Sequence, residues 1–396
     1  MKKFLTSLPA KLLLGIIVGV ILGLYVPESV MGIIVPIKNI LGQVINFVVP
    51  LIVIGFIAPS ITKLGSNASR MLGVALVIAY TSSLLAALLS MGSGYFIIPN
   101  LPIANRAETL KELPPDVFAL AIPPIMSVMS ALAFSVLIGL AAVWTNSKTV
   151  ITLLDEFQKM VLDIVTKVII PILPIFICFT FSGLAYDGTI TKQLPIFVSA
   201  VVIVLIGHFI WLTVLYLVAG AYAGCNPMEV LKHYGPAYIT AVGTMSSAAT
   251  LGIALSCAKK SKVLRDDMID FGIPLFANIH LCGSVLTETF FVMIVSKVLY
   301  GKLPEVGTMI LFCALLAIFA IGAPGVPGGT VMASLGLITG VLGFDAAGTA
   351  LMLAIFAIQD SFGTACNVTG DGALTLILTG YVKKHNIARQ NISIDL

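Results

Sequence analysis

The chain has 396 residues, of which 59% are hydrophobic and only 10% charged, where a soluble domain carries about 25% charged residues. This excludes a water-soluble fold, and at roughly 20 residues per span the length holds about eight to ten membrane crossings with no large extramembrane domain. The net charge of +4 comes from dispersed basic residues, so it says nothing about nucleic acid, which is not an expected partner, and instead reports the side of the membrane on which each loop lies.

In chain order, Met1-Lys2-Lys3 precedes an apolar run from Leu12 to Tyr25. It reads as a retained first span rather than a cleaved signal peptide, because the chain continues as membrane helix with no soluble body to export. Apolar stretches near 10–26, 31–61, 71–98, 118–145, 161–186 and 194–222 predict six long helices, some tilted or bent. Six cysteines, Cys178, Cys225, Cys257, Cys282, Cys313 and Cys366, stand singly in mostly apolar surroundings and are read as reduced packing residues. Glycine and proline are abundant, at 35 and 20 residues, as suits helices that break or pack closely in a bilayer.

From Ala237 onward the apolar segments are interrupted at mid-length. The interruptions are Gly243 to Thr250, Asn278 to Ser284, Gly322 to Thr330, and Asp360 to Asp371. Backbone that leaves a helix at membrane depth must be buried in protein or line a watery cavity, so the four breaks are expected to converge on one site. They alternate between a Ser- or Gly/Pro-rich break and a polar break in a longer helix, the pattern of two inverted repeats, each a re-entrant hairpin plus a discontinuous helix. With the N-terminus cytoplasmic, this layout places sixteen Lys and Arg residues inside and six outside, as the positive-inside rule requires.

The strongest chemical signal is Gln359 to Asp371. At 100° per residue, Asp360, Thr364, Asn367 and Asp371 fall at about 0°, 40°, −20° and 20°, on one narrow helix face. Each carboxylate costs at least roughly 2.5–3.5 kcal/mol at the bilayer centre, and no basic residue lies nearby in the sequence, so a cation or an ammonium group is the expected partner. Asp371, Asn367 and the broken backbone from Phe276 to His280 suit a hard cation such as sodium, while Asp360 suits an amine. An amino acid would present its carboxylate to N–H groups at half-helix N-termini near Ser246, Ser247 and the Gly325–Gly329 loop. The serine pair lacks an activating His or Lys at a suitable spacing, so no enzymatic role is expected.

These residues resemble the dicarboxylate/amino acid:cation (sodium) symporter family, the glutamate and neutral amino acid transporters. Ser246-Ser-Ala-Ala-Thr-Leu251 is similar to the family's serine-rich hairpin tip, Gly325-Val-Pro-Gly328 to its second hairpin and Asn367-Val-Thr-Gly-Asp371 to its last-helix signature. The likeness runs in order along nearly the whole chain. It implies an all-α polytopic membrane protein with eight transmembrane helices, two re-entrant hairpins and inverted repeats, working as an elevator-type homotrimer in the cell (inner) membrane with both termini cytoplasmic. By this likeness residues 1–70 hold scaffold helices 1–2, 71–98 transport-domain helix 3, and 99–193 scaffold helices 4–5. Residues 194–396 form the rest of the transport domain, with helix 6, hairpin 1, broken helix 7, hairpin 2 and broken helix 8.

The resemblance also implies roles. Asp360 would hold the substrate amine and Asn367 its carboxylate, with Ser246, Ser247, Ser284, Gly325, Gly363 and Thr364 completing the substrate site. Asp371 and Asn367 would serve sodium, with groups at Phe276, Asn278, His280, Ala320, Ile321 and Ala323, and no organic cofactor is implied. Where acidic-substrate members carry arginine before the threonine, this chain has Gly363. A second substrate carboxylate would then be buried unpaired, so the expected cargo is a neutral α-amino acid; the likeness is to the serine/threonine-like branch, and serine, threonine, alanine or a bulkier apolar substrate all stay open. The family's Asn-Met-Asp-Gly-Thr reads His280-Leu-Cys-Gly-Ser284 here. One sodium site is thereby expected to be lost: Thr81 and Ser82 match two of its ligands, but its tyrosine is Ile78 here. His280 and Glu288 are candidate proton carriers, which keeps a proton-coupled symporter or an exchanger open beside sodium symport. A channel or receptor is the remaining class, and it would leave the two hairpins without a use.

Overall fold

The structure, a computed structural model, describes residues 8–65, 70–103, 113–114, 118, 120–323 and 328–387. The described residues form helices and connecting turns. The first half contains α1 (Leu8–Tyr25), α2 (Glu28–Gly65), α3 (Arg70–Ile97), α4 (Val128–Trp144), α5 (Lys148–Ile164), α6 (Ile170–Tyr186) and α7 (Thr189–Ala223). The second half contains α8 (Met228–Leu231), α9 (Gly235–Thr244), α10 (Ser247–Ala258), α11 (Asp266–Ile279), α12 (Cys282–Tyr300), α13 (Val306–Gly322), α14 (Gly329–Gly340) and α15 (Ala346–Lys384). Among the described residues five helices are long and apolar enough to cross a membrane, and a sixth if the pair bent by 49° at residues 169–171 is one span.

Helix α4 begins ten residues later than the apolar run at 118 predicts. Pro123 and Pro124 cannot donate to a helical ladder, and Ser127 then caps the helix by accepting from the Ser130 amide at 3.1 Å. Helix α5 is an amphipathic helix that the apolar stretches do not announce. It buries Leu154 and Val161, while Lys159 pairs with Glu156 on its exposed side and Lys167, just beyond its end, pairs with Asp163.

The helices pack in two groups. Helix α1 lies along α6, and α2 contacts α4, α5 and α6. Gly15, Gly19 and Gly23 bring α1 against the α6 backbone: a Cβ at Gly15 would sit 2.7 Å from the Pro174 carbonyl oxygen, and one at Gly19 would collide with the Cys178 carbonyl. Small residues four apart permit this approach, which replaces the missing hydrophobic drive between helices in lipid. In the second group, α12 and α15 form the centre, flanked by α3 and α7 and covered by α9, α11 and α13. Contacts run from Arg265 with Thr379, through His280 with Asp371, to Tyr300 with Asp345, so α11–α12 and α15 are antiparallel along their whole length.

Two pairs of helices are too short to cross singly. Helices α9 and α10 have 10 and 12 residues and α14 has 12, about 15–18 Å each against a hydrocarbon core of about 30 Å. Helices α9 and α10 pack on each other, as do α13 and α14, giving two hairpins at the expected places. The first turns at Met245, whose φ is 53°, and Ser246. The break in helix 7 falls at His280–Leu281, between α11 and α12. The expected break in helix 8 is absent: α15 is helical from Ala346 to Lys384 through the whole Asp360–Asp371 stretch. The stretch contains no proline, and its polar side chains reach outward to other elements, so nothing withdraws the backbone ladder. Gly370 serves close packing instead: a Cβ there would lie 2.9 Å from the His280 ring and 3.3 Å from the Cys282 sulfur.

Candidate functional site

The polar stripe of α15 faces the break in helix 7 and the tip of the second hairpin. Asp360, Thr364, Asn367 and Asp371 are all buried. Thr364 is hydrogen-bonded to Asp360, and the other three residues each meet a different broken end. Asp360 accepts a hydrogen bond from the Gly328 amide at 2.7 Å, where Gly328, at φ 74°, is the N-cap of α14. Asn367 caps α12 from across the helix pair. Its Oδ1 accepts from the Gly283 and Ser284 amides at 2.7 and 3.2 Å, and its Nδ2 donates to Ser284 Oγ at 3.0 Å. The free amides of a helix N-terminus are thus gathered at Asp360 and Asn367, the residues expected to face an amino acid.

The lower end of the stripe differs from the expectation that the acids lack a basic neighbour. His280 Nδ1 is hydrogen-bonded to Asp371 Oδ1 at 2.9 Å, and its Nε2 to Ser82 Oγ at 2.9 Å. Both His280 and Asp371 are fully buried. The imidazole therefore joins α3, the helix-7 break and α15 in one chain, and Asp371 keeps a single oxygen, Oδ2, away from it. Thr81 is exposed and does not join Ser82 there.

Among the described residues no group of three or more His, Cys, Asp or Glu side chains is arranged to hold a metal ion. A cation here would depend on backbone oxygens. Such oxygens are available at two helix C-termini, where the last carbonyls lack partners within the helix and the dipole favours positive charge. One is the end of α13, at Ala320, Ile321 and Ala323, all buried. The other is the end of α11, where the Phe276 carbonyl already accepts from the His280 amide at 2.9 Å. The Asn278 side chain turns back to donate to the Pro274 carbonyl at 2.8 Å and is exposed, which leaves only its backbone for a ligand role.

Ser246 is the N-cap of α10, accepting from the Ala249 amide at 3.2 Å, and Ser247 is buried in the first turn. Helix α10 packs against both α11 and α15. Gly363 faces Ser284, with ordinary contact distances of 3.5 Å for an added Cβ. Gly325 lies outside the described residues. Glu288 is fully buried one turn beyond Ser284 and is hydrogen-bonded by Ser334 of α14. Two contributors escaped the sequence reading. Ser334 is one, and His208 of α7 is the other, with its Nε2 hydrogen-bonded to the Gly283 carbonyl at 3.0 Å and to Thr287 Oγ1 at 2.9 Å. A lone histidine in an apolar run gives no sign of such a partner.

Paired short helices closing on a helix break and on a buried acidic stripe define a multi-pass α-helical membrane protein built as a carrier. The chain belongs to the sodium:dicarboxylate symporter family, whose sequence profile matches residues 8–381. It is similar to excitatory amino acid transporter 2 of Mus musculus, with 26% identity over 254 residues, 62% of this chain and 43% of that protein. Neutral amino acid transporter B(0) of Rattus norvegicus is 25% identical over 263 residues, 65% of this chain and 47% of that one. Excitatory amino acid transporter 1 of Ambystoma tigrinum is 25% identical over 294 residues, 72% and 53% of the two chains. The match spans about half the length of these relatives.

Proposed function

We propose that this protein is a secondary active transporter that carries a neutral α-amino acid inward together with sodium across the cell membrane. The observation that carries this reading is the burial of Asp360 and Asp371 on one face of α15, with Asp360 closed over by the Gly328 amide of the second hairpin. A buried acid at a hairpin tip has a use when an ammonium group visits it and the tip must open to admit it. Asp360 binds the substrate amine, Asn367 and the first turn of α12 receive its carboxylate, and Ser246, Ser247, Thr364 and Ser284 complete the pocket. Sodium takes Asp371 and the carbonyl ends of α11 and α13. The family and the names of its relatives, among them a neutral amino acid transporter, support this assignment. So does Gly363, because this position carries no guanidinium to receive an acidic side chain.

On this reading α3 and α7–α15 form the moving transport unit, and α1, α2 and α4–α6 the scaffold of a homotrimer with cytoplasmic termini. A thermal-shift screen of the twenty amino acids with and without sodium tests it: ligands that bind the folded state raise its apparent stability. Small neutral amino acids are expected to stabilise the protein in sodium and to lose that effect in choline. Stabilisation confined to aspartate and glutamate would overturn the substrate assignment. Gly363→Arg is expected to move the preference toward aspartate in the same screen, because a Cβ is accommodated at that position and a guanidinium there pairs with a side-chain carboxylate.

A second reading keeps the fold and couples transport to protons or to amino acid exchange. It is favoured by His280, with Asp371 and Ser82 on its two nitrogens, and by the fully buried Glu288 with Ser334 as its hydrogen-bond partner. The Ser334 hydroxyl also lies 3.1 Å from the Val331 carbonyl. Its single hydrogen serves one of these oxygens at a time, and when it serves Val331 a protonated Glu288 completes the other bond. Indifference of substrate binding to sodium would select this reading.

A further inference from the structure

One buried side chain beside the stripe has no partner. Gln359, the residue before Asp360, has no exposed surface, and neither its Oε1 nor its Nε2 makes a hydrogen bond. Glu288 is likewise fully buried, with Ser334 on Oε1 and nothing on Oε2. Buried polar atoms are nearly always paired, so three unpaired atoms in one region need an occupant.

The antiparallel pairing of α12 and α15 places them together. Ser284 lies against Gly363, and near the far end of the pair Tyr300 meets Asp345. Four residues, about 6 Å, along each helix from Ser284 and Gly363 lead to Glu288 and Gln359 on the same facing sides. The two therefore form the next rung of the helix pair. This rung lies one turn along the pair from Gly363, whose missing Cβ would meet Ser284 at an ordinary 3.5 Å, and Gln359 is the residue next to Asp360. An amino acid whose amine sits at Asp360 has its side chain within reach of it.

We propose that Gln359, with Glu288 beside it, recognises the substrate's side chain and selects neutral amino acids bearing both a hydrogen-bond donor and an acceptor, a hydroxyl or a carboxamide. The inference rests on the amino acid transport reading. The chemistry of the orphaned atoms sets the class: the Gln359 amide donates through Nε2 and accepts through Oε1, and Glu288 Oε2 is adjacent. An acidic side chain would meet the Glu288 carboxyl, and an apolar one would seal all three atoms away from water unpaired. A site built around a hydrogen bond rejects the analogue that lacks it far more strongly than an apolar pocket rejects an extra group.

The test compares near-isosteric pairs, serine with 2-aminobutyrate and asparagine with leucine, by titration of the purified full-length protein in sodium. The polar member of each pair is expected to bind roughly ten- to a hundredfold tighter. Gln359→Leu is expected to erase or invert that preference while leaving the melting temperature of the ligand-free protein unchanged or higher, because an unpaired amide is replaced by an apolar group of similar size. Gln359→Asn, which keeps the amide but withdraws it by one methylene, is expected to retain the preference in weakened form and checks the result should the leucine variant fold poorly. Equal affinity of the wild type for both members of each pair would overturn the inference alone. So would a uniform weakening of both members in Gln359→Leu, the result expected if a resident water occupies the rung. Absence of binding by every amino acid would overturn the transport reading and this inference with it.

Discussion

Asp360→Asn is expected to abolish amino acid binding while leaving the protein folded. Asparagine retains a side-chain oxygen of the same reach, so it can still accept from the Gly328 amide that Asp360 Oδ2 now engages at 2.7 Å. The substitution removes the negative charge and little else. A substrate ammonium group would then be buried without its counter-charge, a loss of about 3–5 kcal/mol, or roughly two to three and a half orders of magnitude in affinity. Titration calorimetry on the wild type and the variant reads this directly, with the melting temperature as a control for folding. Normal affinity in Asp360→Asn would remove this residue from the substrate site and leave its contact with the hairpin as its role.

His280→Ala is expected to have the larger effect on stability. The imidazole partners the fully buried Asp371 and also reaches Ser82 on α3, so its removal strips a carboxylate at membrane depth of its partner and unties three elements. Breaking a buried pair by deleting one member costs about 3–5 kcal/mol. Sodium is expected to restore part of the loss, because a cation can enter beside Asp371 where the ring stood, whereas choline is too large to do so. Melting curves over a sodium titration, compared between wild type and variant, measure both effects. A variant that melts like the wild type in choline would show that the His280–Asp371 pair contributes nothing, and the account of the lower site would fail with it.

How much of this was legible in the sequence follows from the range of each interaction. The stripe Asp360, Asn367 and Asp371 is written at helical spacing within one segment, so its common face could be read without a structure. The first hairpin tip and the His280–Leu281 break were visible because serine and glycine interrupt apolar runs too short to cross. The partners across the protein were not visible. Ser82 and His280 are 198 residues apart and Gly283 and Asn367 are 84 apart, and no local pattern encodes a contact at that distance. Local polarity also misled in one place: the glycines and polar residues of 360–371 suggested a broken helix, yet α15 runs through them because tertiary partners satisfy the side chains and the backbone ladder is left intact. Gln359 was passed over for a related reason. One glutamine in an apolar helix is unremarkable until its burial and the silence of both its amide atoms are known.

On the proposed reading, the buried acids of α15 are visited by an ammonium group and a sodium ion. The most direct measurement is uptake of a neutral amino acid, serine first, into proteoliposomes of the full chain with sodium and proton gradients imposed separately. The account predicts accumulation above equilibrium when sodium is high outside, and none when sodium is replaced by choline, whatever the pH difference. Uptake that follows the proton gradient and ignores sodium would contradict it and transfer the coupling to His280 and Glu288.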